Sequence, residues 1–113
     1  MVRISAYQLI SVRELVTRWY KKMAKEILDI GTVVRILKFL AERPNREASI
    51  TEIVKNVHIS FATCDKYIRL LLERGVIDVR TEGRKKIIKI TEKGYDVLIA
   101  ASRVYALLGL PFE

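Results

Sequence analysis

The sequence contains little of several residue types whose presence would place it in a particular protein class. Its 113 residues include one cysteine, Cys64, which excludes an internal disulfide and a cysteine-based metal site. Near the N-terminus, Arg3, Arg13 and Arg18 interrupt the apolar residues, so we expect neither a signal peptide nor a membrane span. One glutamine and two asparagines occur beside abundant isoleucine, valine, lysine and arginine, which favours a thermophilic source. These shortages predict a cytoplasmic protein that uses no metal and no cofactor.

Acidic residues and catalytic motifs are also scarce. Thirteen aspartates and glutamates stand against 21 lysines and arginines, which gives a formal net charge of +8. This excess favours a polyanionic partner, either nucleic acid or an anionic membrane surface. The sequence has no glycine-rich phosphate-binding loop, no paired carboxylates and no nucleophile–base arrangement. We therefore expect a binding protein and not an enzyme.

Apolar residues at three- and four-residue spacing predict a long N-terminal helix over residues 5–28. Such a helix extends about 36 Å at about 1.5 Å per residue, which is more than the core of its own domain requires. Part of the apolar stripe is therefore expected to contact another surface. Gly31 is predicted to end this helix, and Thr32 to cap a second helix over Val33–Glu42.

Residues 49–94 begin with two short helices around a tight turn. Thr51 is predicted to cap the helix Glu52–Val57, and Ser60 the helix Phe61–Arg74, which Gly75 ends. Helix-turn-helix proteins place the second of two such helices in the major groove of DNA.

A two-stranded ribbon and a last helix follow. Alternating apolar residues predict strands over Val76–Arg80 and Lys86–Thr91, with a bend at Glu82 and Gly83. The last helix is predicted over Glu92–Leu108. This order predicts a winged helix-turn-helix: a mainly α fold with a small β-wing and extra N- and C-terminal helices.

The helix over Phe61–Arg74 is predicted to have one buried and one exposed side. Cys64, Ile68, Leu71 and Leu72 form the predicted buried side, where Cys64 is a core residue and not a redox sensor. The remaining side chains are available for DNA bases and phosphates, or form an ordinary solvated helix face. The DNA-contacting candidates in this segment are Ser60, Phe61, Ala62, Thr63, Lys66 and Arg69.

The ribbon tip is strongly basic. Arg80, Arg84, Lys85 and Lys86 stand against Glu82 alone. Cationic side chains on a thin ribbon can straddle phosphates or enter the minor groove. The same side chains could instead protect a sheet edge from aggregation, and both roles are compatible.

The order of these motifs resembles the MarR-type (multiple antibiotic resistance regulator) winged-helix regulators of bacteria and archaea. The resemblance covers about residues 32–100 and is carried by four segments: Thr51-Glu52-Ile53, Ile59-Ser60, Leu71-Leu72-Glu73-Arg74-Gly75 and Thr91-Glu92-Lys93-Gly94. It implies that Ala62, Thr63, Lys66 and Arg69 face the major groove and that Arg84 to Lys86 form the wing tip.

The resemblance also implies a two-fold dimer, because helices at both ends of MarR-type chains interlock. The corresponding residues are Val12, Leu15, Trp19, Met23, Leu98, Ala101, Tyr105 and Leu108. This chain is shorter than the regulators of that group, so we expect no small-molecule effector.

The sequence therefore predicts a dimeric, nucleoid-associated protein that binds specific double-stranded DNA sites as a transcriptional regulator. Residues 1–30 are the predicted dimerisation helix, 31–94 the DNA-binding part and 95–113 a second dimerisation helix, all within one compact domain. Two alternatives remain: a chromatin-type protein that binds DNA without sequence preference, and a winged-helix subunit that binds other proteins.

Overall fold

A computed structural model describes residues 12–18 and 29–112 of the chain. Residues 12–18 are helical and form α1, and their side chains are exposed. The remainder of the helix predicted over residues 5–28, including Trp19 and Met23, lies outside the described residues.

From residue 29 onward, helices alternate with three short strands, as expected for a mainly α fold with a small wing. The order is α2 (Ile30–Glu42), a 3-10 turn (Pro44–Arg46), β1 (Glu47–Ser49), α3 (Ile50–Val57), α4 (Phe61–Glu73), β2 (Ile77–Glu82), β3 (Lys85–Ile90) and α5 (Glu92–Leu107). The predicted bounds of α4, the wing and α5 agree with the structure to within two residues.

The start of α2 differs from the prediction, because Asp29 and not Thr32 is its N-cap. The backbone N–H of Val33 donates to the carbonyl of Asp29 at 3.1 Å, so the helix is already formed at Ile30 and Gly31 lies inside it. The Thr32 hydroxyl donates instead to the Asp29 carboxylate at 3.1 Å. The prediction that Gly31 is a helix stop was therefore wrong.

The cap of α3 also differs from the prediction. Ser49 Oγ accepts a hydrogen bond from the N–H of Glu52 at 3.2 Å, and the Glu52 carboxylate accepts from the N–H of Ser49 at 3.3 Å. This reciprocal capping box satisfies two backbone donors, whereas a Thr51 cap would satisfy one. The helix consequently begins at Ile50, and Thr51 is an exposed residue of its first turn.

The sheet has three strands, one more than predicted. Its order is β1-β3-β2, with both pairs antiparallel, so β3 is the central strand. Ile88 lies opposite Ala48 on one side and Val79 on the other. β1 is only three residues long, which is too short to show the alternation that identifies a strand in sequence.

The core lies between the sheet and the helices packed on it. Its fully buried large side chains are Ile36, Leu37, Leu40, Ile53, Cys64, Ile77 and Ile88. On α4 the buried residues are Cys64, Tyr67, Ile68 and Leu71, whereas Leu72 is 45% exposed. Leu72 was wrongly predicted as core because it follows Leu71 by one residue and lies at the edge of the stripe. Tyr67 is buried on this side of α4 where Leu72 was predicted to be.

The first turn of α5 approaches the sheet so closely that it requires glycine. Thr91 caps the helix by accepting from the N–H of Gly94 at 3.2 Å. A Cβ atom at Gly94 would lie 2.5 Å from both the Val76 carbonyl oxygen and Ile90 Cγ1. The backbone oxygen is fixed by the fold and cannot move away as a flexible side chain could.

We predict that Gly94→Ala lowers the free energy of unfolding by about 1–3 kcal/mol, because the added methyl group overpacks this contact. Gly31→Ala is the matched control, since a Cβ there would meet its nearest atom at 3.5 Å. The control should be neutral or stabilising by up to about 1 kcal/mol, as alanine favours helix over glycine. Urea unfolding of both variants measures this difference, and equal stabilities would contradict the packing assignment.

Candidate nucleic-acid interface

The turn between α3 and α4 places the N-terminal end of α4 at the surface. His58 adopts a left-handed conformation with φ 59° and donates its N–H to the Val54 carbonyl at 3.2 Å, which closes α3. Ile59 is half-buried against the core. Ser60 then begins α4 immediately, so two closely spaced helices are held at a fixed angle.

The N-cap of α4 leaves polar groups free for a ligand. Ser60 Oγ accepts from the N–H of Thr63 at 3.1 Å and donates its own hydrogen to Thr63 Oγ1 at 2.9 Å. The hydroxyl hydrogen of Thr63 is thereby directed away from the cap bond and can donate elsewhere. The first-turn N–H groups of a helix have no intrahelical acceptor and favour anions such as phosphate.

The other side chains predicted to contact DNA share one exposed face of α4. Phe61 is 58% exposed, and Ala62 and Lys66 are also exposed. Arg69 Nη2 lies 3.0 Å from Asp65 Oδ2, one helical turn away on the same face. The structure therefore brings together the six residues proposed from Ser60 to Arg69.

Hydrogen bonds on the opposite side join α4 to the residue before α2, and α2 to the end of α3. The Tyr67 hydroxyl accepts from the N–H of Asp29 at 2.8 Å, at the residue where α2 begins. Arg35 donates from Nη1 to the Val57 carbonyl at 3.1 Å and from Nη2 to the Thr32 hydroxyl at 3.3 Å. These contacts were not predicted from the sequence, because Asp29 and Tyr67, like Arg35 and Val57, are far apart in the chain and form no recognisable motif.

Cys64 is fully buried on the inner side of α4. Burial, together with the smaller effect of the neighbouring Asp65 charge, raises the pKa of the Cys64 thiol to about 11. The thiolate is the reactive form of cysteine, so a high pKa keeps this side chain inert. The geometry agrees with the prediction that Cys64 is a core residue.

The wing tip combines a tight turn with an exposed basic cluster. β2 and β3 are joined at Gly83, whose φ of 62° glycine adopts without the steric cost that a side chain would add. Arg84, Lys85 and Lys86 follow directly and are all exposed. In the hairpin register, Glu82 lies opposite Lys85 and Thr81 opposite Lys86.

Arg80, which was predicted to belong to the wing tip, lies in the middle of β2 opposite Ile87 and is ion-paired. Its guanidinium bonds both carboxylate oxygens of Glu47, with Nη2 to Oε1 at 2.8 Å, and also Glu82 Oε2 at 3.0 Å. The hydrogen bond from Arg80 lowers the pKa of Glu47. Arg80 therefore joins β2 to β1, and its charge is balanced by two carboxylates.

The residues predicted to form a dimer interface fall into two groups. Leu98 and Ala101 are buried in the core of the chain itself, and Tyr105 is half-buried against Phe112, with ring centroids 5.3 Å apart. Leu108, Val12 and Leu15 are exposed. Sequence analysis did not assign Val104 and Leu107 to the interface, although they are 52% and 87% exposed.

A shallow groove of about 290 Å³ runs between the start of α2 and this side of α5. Its lining is almost entirely apolar: Ile30, Val97, Ala100, Ala101, Val104 and Tyr105. Such a lining offers little to orient a polar ligand, and the absence of a small-molecule effector stays a prediction.

Among the described residues, no cluster of three or more His, Cys, Asp or Glu could hold a metal ion. None of the described helices is long and apolar enough to cross a membrane.

The family model for winged helix-turn-helix proteins matches residues 26–108 of the sequence. The chain belongs to the winged helix-turn-helix family. The match includes α2 to α5 and the whole wing, so the family assignment rests on the elements described above. No curated protein sequence matches the chain.

Solved structures share this winged helix-turn-helix fold. Sso10a-2, a DNA-binding protein from Sulfolobus solfataricus, has a TM-score of 0.63 at 23% identity, covering 74% of this chain and 83% of that one. Sco3205, a MarR family transcriptional regulator from Streptomyces coelicolor in complex with DNA, has a TM-score of 0.62 at 22% identity, with coverages of 95% and 74%. The Staphylococcus aureus MepR–DNA complex has a TM-score of 0.63 at 16% identity, with coverages of 93% and 86%. At these identities the likeness establishes the fold.

We predict that Cys64 reacts with an aromatic disulfide reagent at pH 8 only when the winged helix-turn-helix unfolds. The side chain is fully buried, and a pKa of about 11 leaves about one thiol in a thousand ionised at that pH. Absorbance of the released thiolate follows the reaction, with protein in concentrated guanidinium chloride as the control. Equal rates in the native and unfolded proteins would contradict the burial of Cys64.

Proposed function

We propose that this winged helix-turn-helix protein is a transcriptional regulator that binds double-stranded DNA with α4 in the major groove. The main support for this proposal is that α4 has one buried side and one exposed side. Its inner side is fixed by core packing and by the Tyr67 hydrogen bond, while its outer side presents cationic, hydroxyl and apolar groups. A neighbouring basic wing adds contacts to the DNA backbone.

The outer side of α4 has the chemistry needed to distinguish base pairs. Lys66 and Arg69 can donate to guanine O6 and N7, and a good bidentate contact contributes about 1–3 kcal/mol of discrimination. Phe61 and Ala62 can contact the thymine methyl group. Thr63 has a free hydroxyl hydrogen for a base acceptor or a phosphate. This combination supports sequence-specific binding.

The wing supports binding to the backbone. Arg84, Lys85 and Lys86 are exposed side by side, and the described structure shows no ion pair to any of them. Arg80 is already balanced by Glu47 and Glu82, so its role in the proposal is to hold the wing in place. Phosphate contacts position a protein on DNA but carry no direct sequence information.

The exposed apolar residues of α5 support a homodimer. At about 100° per residue, Ala100, Val104, Leu107 and Leu108 share one side of α5 beside Ile30. Exposed leucines grouped in this way mark an interaction surface. A two-fold dimer would place its two α4 helices in successive major grooves, about 34–36 Å apart.

Two other functions make different predictions. An architectural protein would bind all DNA sequences alike. Phosphate contacts from the basic wing alone would be enough for that role. A protein-interaction subunit would show no salt-sensitive DNA binding. Selection of bound sites from a random DNA pool distinguishes them: the regulator enriches a two-fold symmetric motif, the architectural protein enriches none, and the interaction subunit retains no DNA.

We predict that the triple variant Arg84→Gln, Lys85→Gln and Lys86→Gln weakens binding to all DNA sequences. Each lost phosphate contact should reduce the slope of log affinity against log salt by about 0.9. Fluorescence anisotropy across a salt series measures the slope. Arg103→Gln is the control, since it removes an exposed charge that lies on α5 and not on the wing. An unchanged slope in the triple variant would exclude the wing from the interface.

We predict that the double variant Leu107→Asp and Leu108→Asp dissociates the dimer, because each change places a charge in an apolar contact. Ile99→Asp is the matched control: Ile99 is 55% exposed on α5, but about 80° or more around the helix from this stripe. Sedimentation velocity should show a monomer for the double variant and a dimer for the control and wild type. A double variant that sediments as a dimer would rule out this side of α5.

A further inference from the structure

The recognition surface contains one residue whose charge opposes DNA binding. Between Phe61 and Arg69 the sequence has a single acidic residue, Asp65. At about 100° per residue this half-exposed residue lies between Phe61 and Arg69 around the helix, within about 60° of both and of Ala62. A carboxylate there repels the phosphates of any DNA that α4 approaches.

Asp65 contacts the side chain best suited to read a base. Arg69 Nη2 lies 3.0 Å from Asp65 Oδ2, and the arginine side chain is 76% exposed. An exposed pair four residues apart on a helix contributes little to stability, so the fold does not require it. In the structure the pair aligns the long arginine side chain along the outer face of α4.

The remaining donors of the arginine fit guanine. A guanidinium has five N–H donors in one plane, and the contact with Asp65 involves only Nη2. The other donors can therefore form the bidentate contact with guanine O6 and N7. The free oxygen of Asp65 can accept from the amino group of cytosine and would repel the acceptor O4 of thymine.

We propose that Asp65 is a specificity-determining residue that orients Arg69 toward guanine, so that each half-site contains a G·C pair opposite Arg69. The inference rests on the proposed function, since it concerns how α4 reads DNA. The charge of Asp65 lowers the affinity of the protein for every DNA sequence. Sites at which Arg69 contacts guanine recover this lost affinity. Specificity then comes from a repulsive element as well as an attractive one.

Sites selected from a random pool by the wild type and by Asp65→Asn test this assignment. The variant keeps the size of the side chain and removes its charge. We expect tighter binding to non-specific DNA and a fall of about tenfold in the preference for guanine at one position of each half-site. Other positions should keep their preferences. Asp96→Asn, on the exposed surface of α5, is the matched control for charge and should change no preference.

Combination with Arg69→Ala shows whether the two residues act on the same base pair. Arg69→Ala alone should abolish the same guanine preference, and adding Asp65→Asn should cause no further loss. If Asp65→Asn changes affinity equally for all sequences and leaves every preference intact, Asp65 is only a surface charge and the inference is wrong. A wild-type protein that enriches no motif would instead reject sequence-specific regulation itself, so the two failures are distinguishable.

Discussion

The proposed DNA contacts depend on the way in which the inner side of α4 is held against the core. Cys64, Tyr67, Ile68 and Leu71 bury one side of α4, and the Tyr67 hydroxyl accepts from the first residue before α2. Because close packing allows α4 few other positions, the opposite side can remain exposed without losing its orientation. A helix that reads DNA needs this combination, since base contacts require side chains placed to within fractions of an ångström.

The charged residues of the wing and of α4 have different surroundings and different proposed roles. Along the middle of the wing, Glu47 and Glu82 balance Arg80, and this ion-paired group joins the hairpin to the short strand β1. At the tip, Arg84 to Lys86 are exposed and supply the positive field that attracts a polyanion. On α4, we propose that Asp65 reduces that attraction where the helix distinguishes bases. The net charge of +8 alone does not reveal these three roles.

Much of this architecture follows from local sequence signals. The periodicity of α4, its Ser60 cap, the glycine at the wing turn and the alternation in β2 and β3 are each encoded within a few residues. The wrong predictions have two causes. Neighbouring residues can compete for one structural role, and contacts between distant residues leave no local pattern. Ser49 and Thr51 are both good caps, and only the reciprocal bond with Glu52 decides between them. The pairing of β1 with β3, the Tyr67 hydrogen bond and the ion pair of Arg80 with Glu47 join residues 33 or more positions apart, which no local pattern records.

We propose that α4 enters the major groove while the wing contacts the backbone beside it. Methylation interference on a selected site tests this placement, because dimethyl sulfate modifies guanine N7 in the major groove and adenine N3 in the minor groove. We expect N7 methylation of guanines at the centre of each half-site to block binding. If binding is insensitive to every N7 methylation and is blocked only by minor-groove methylation, α4 does not enter the major groove.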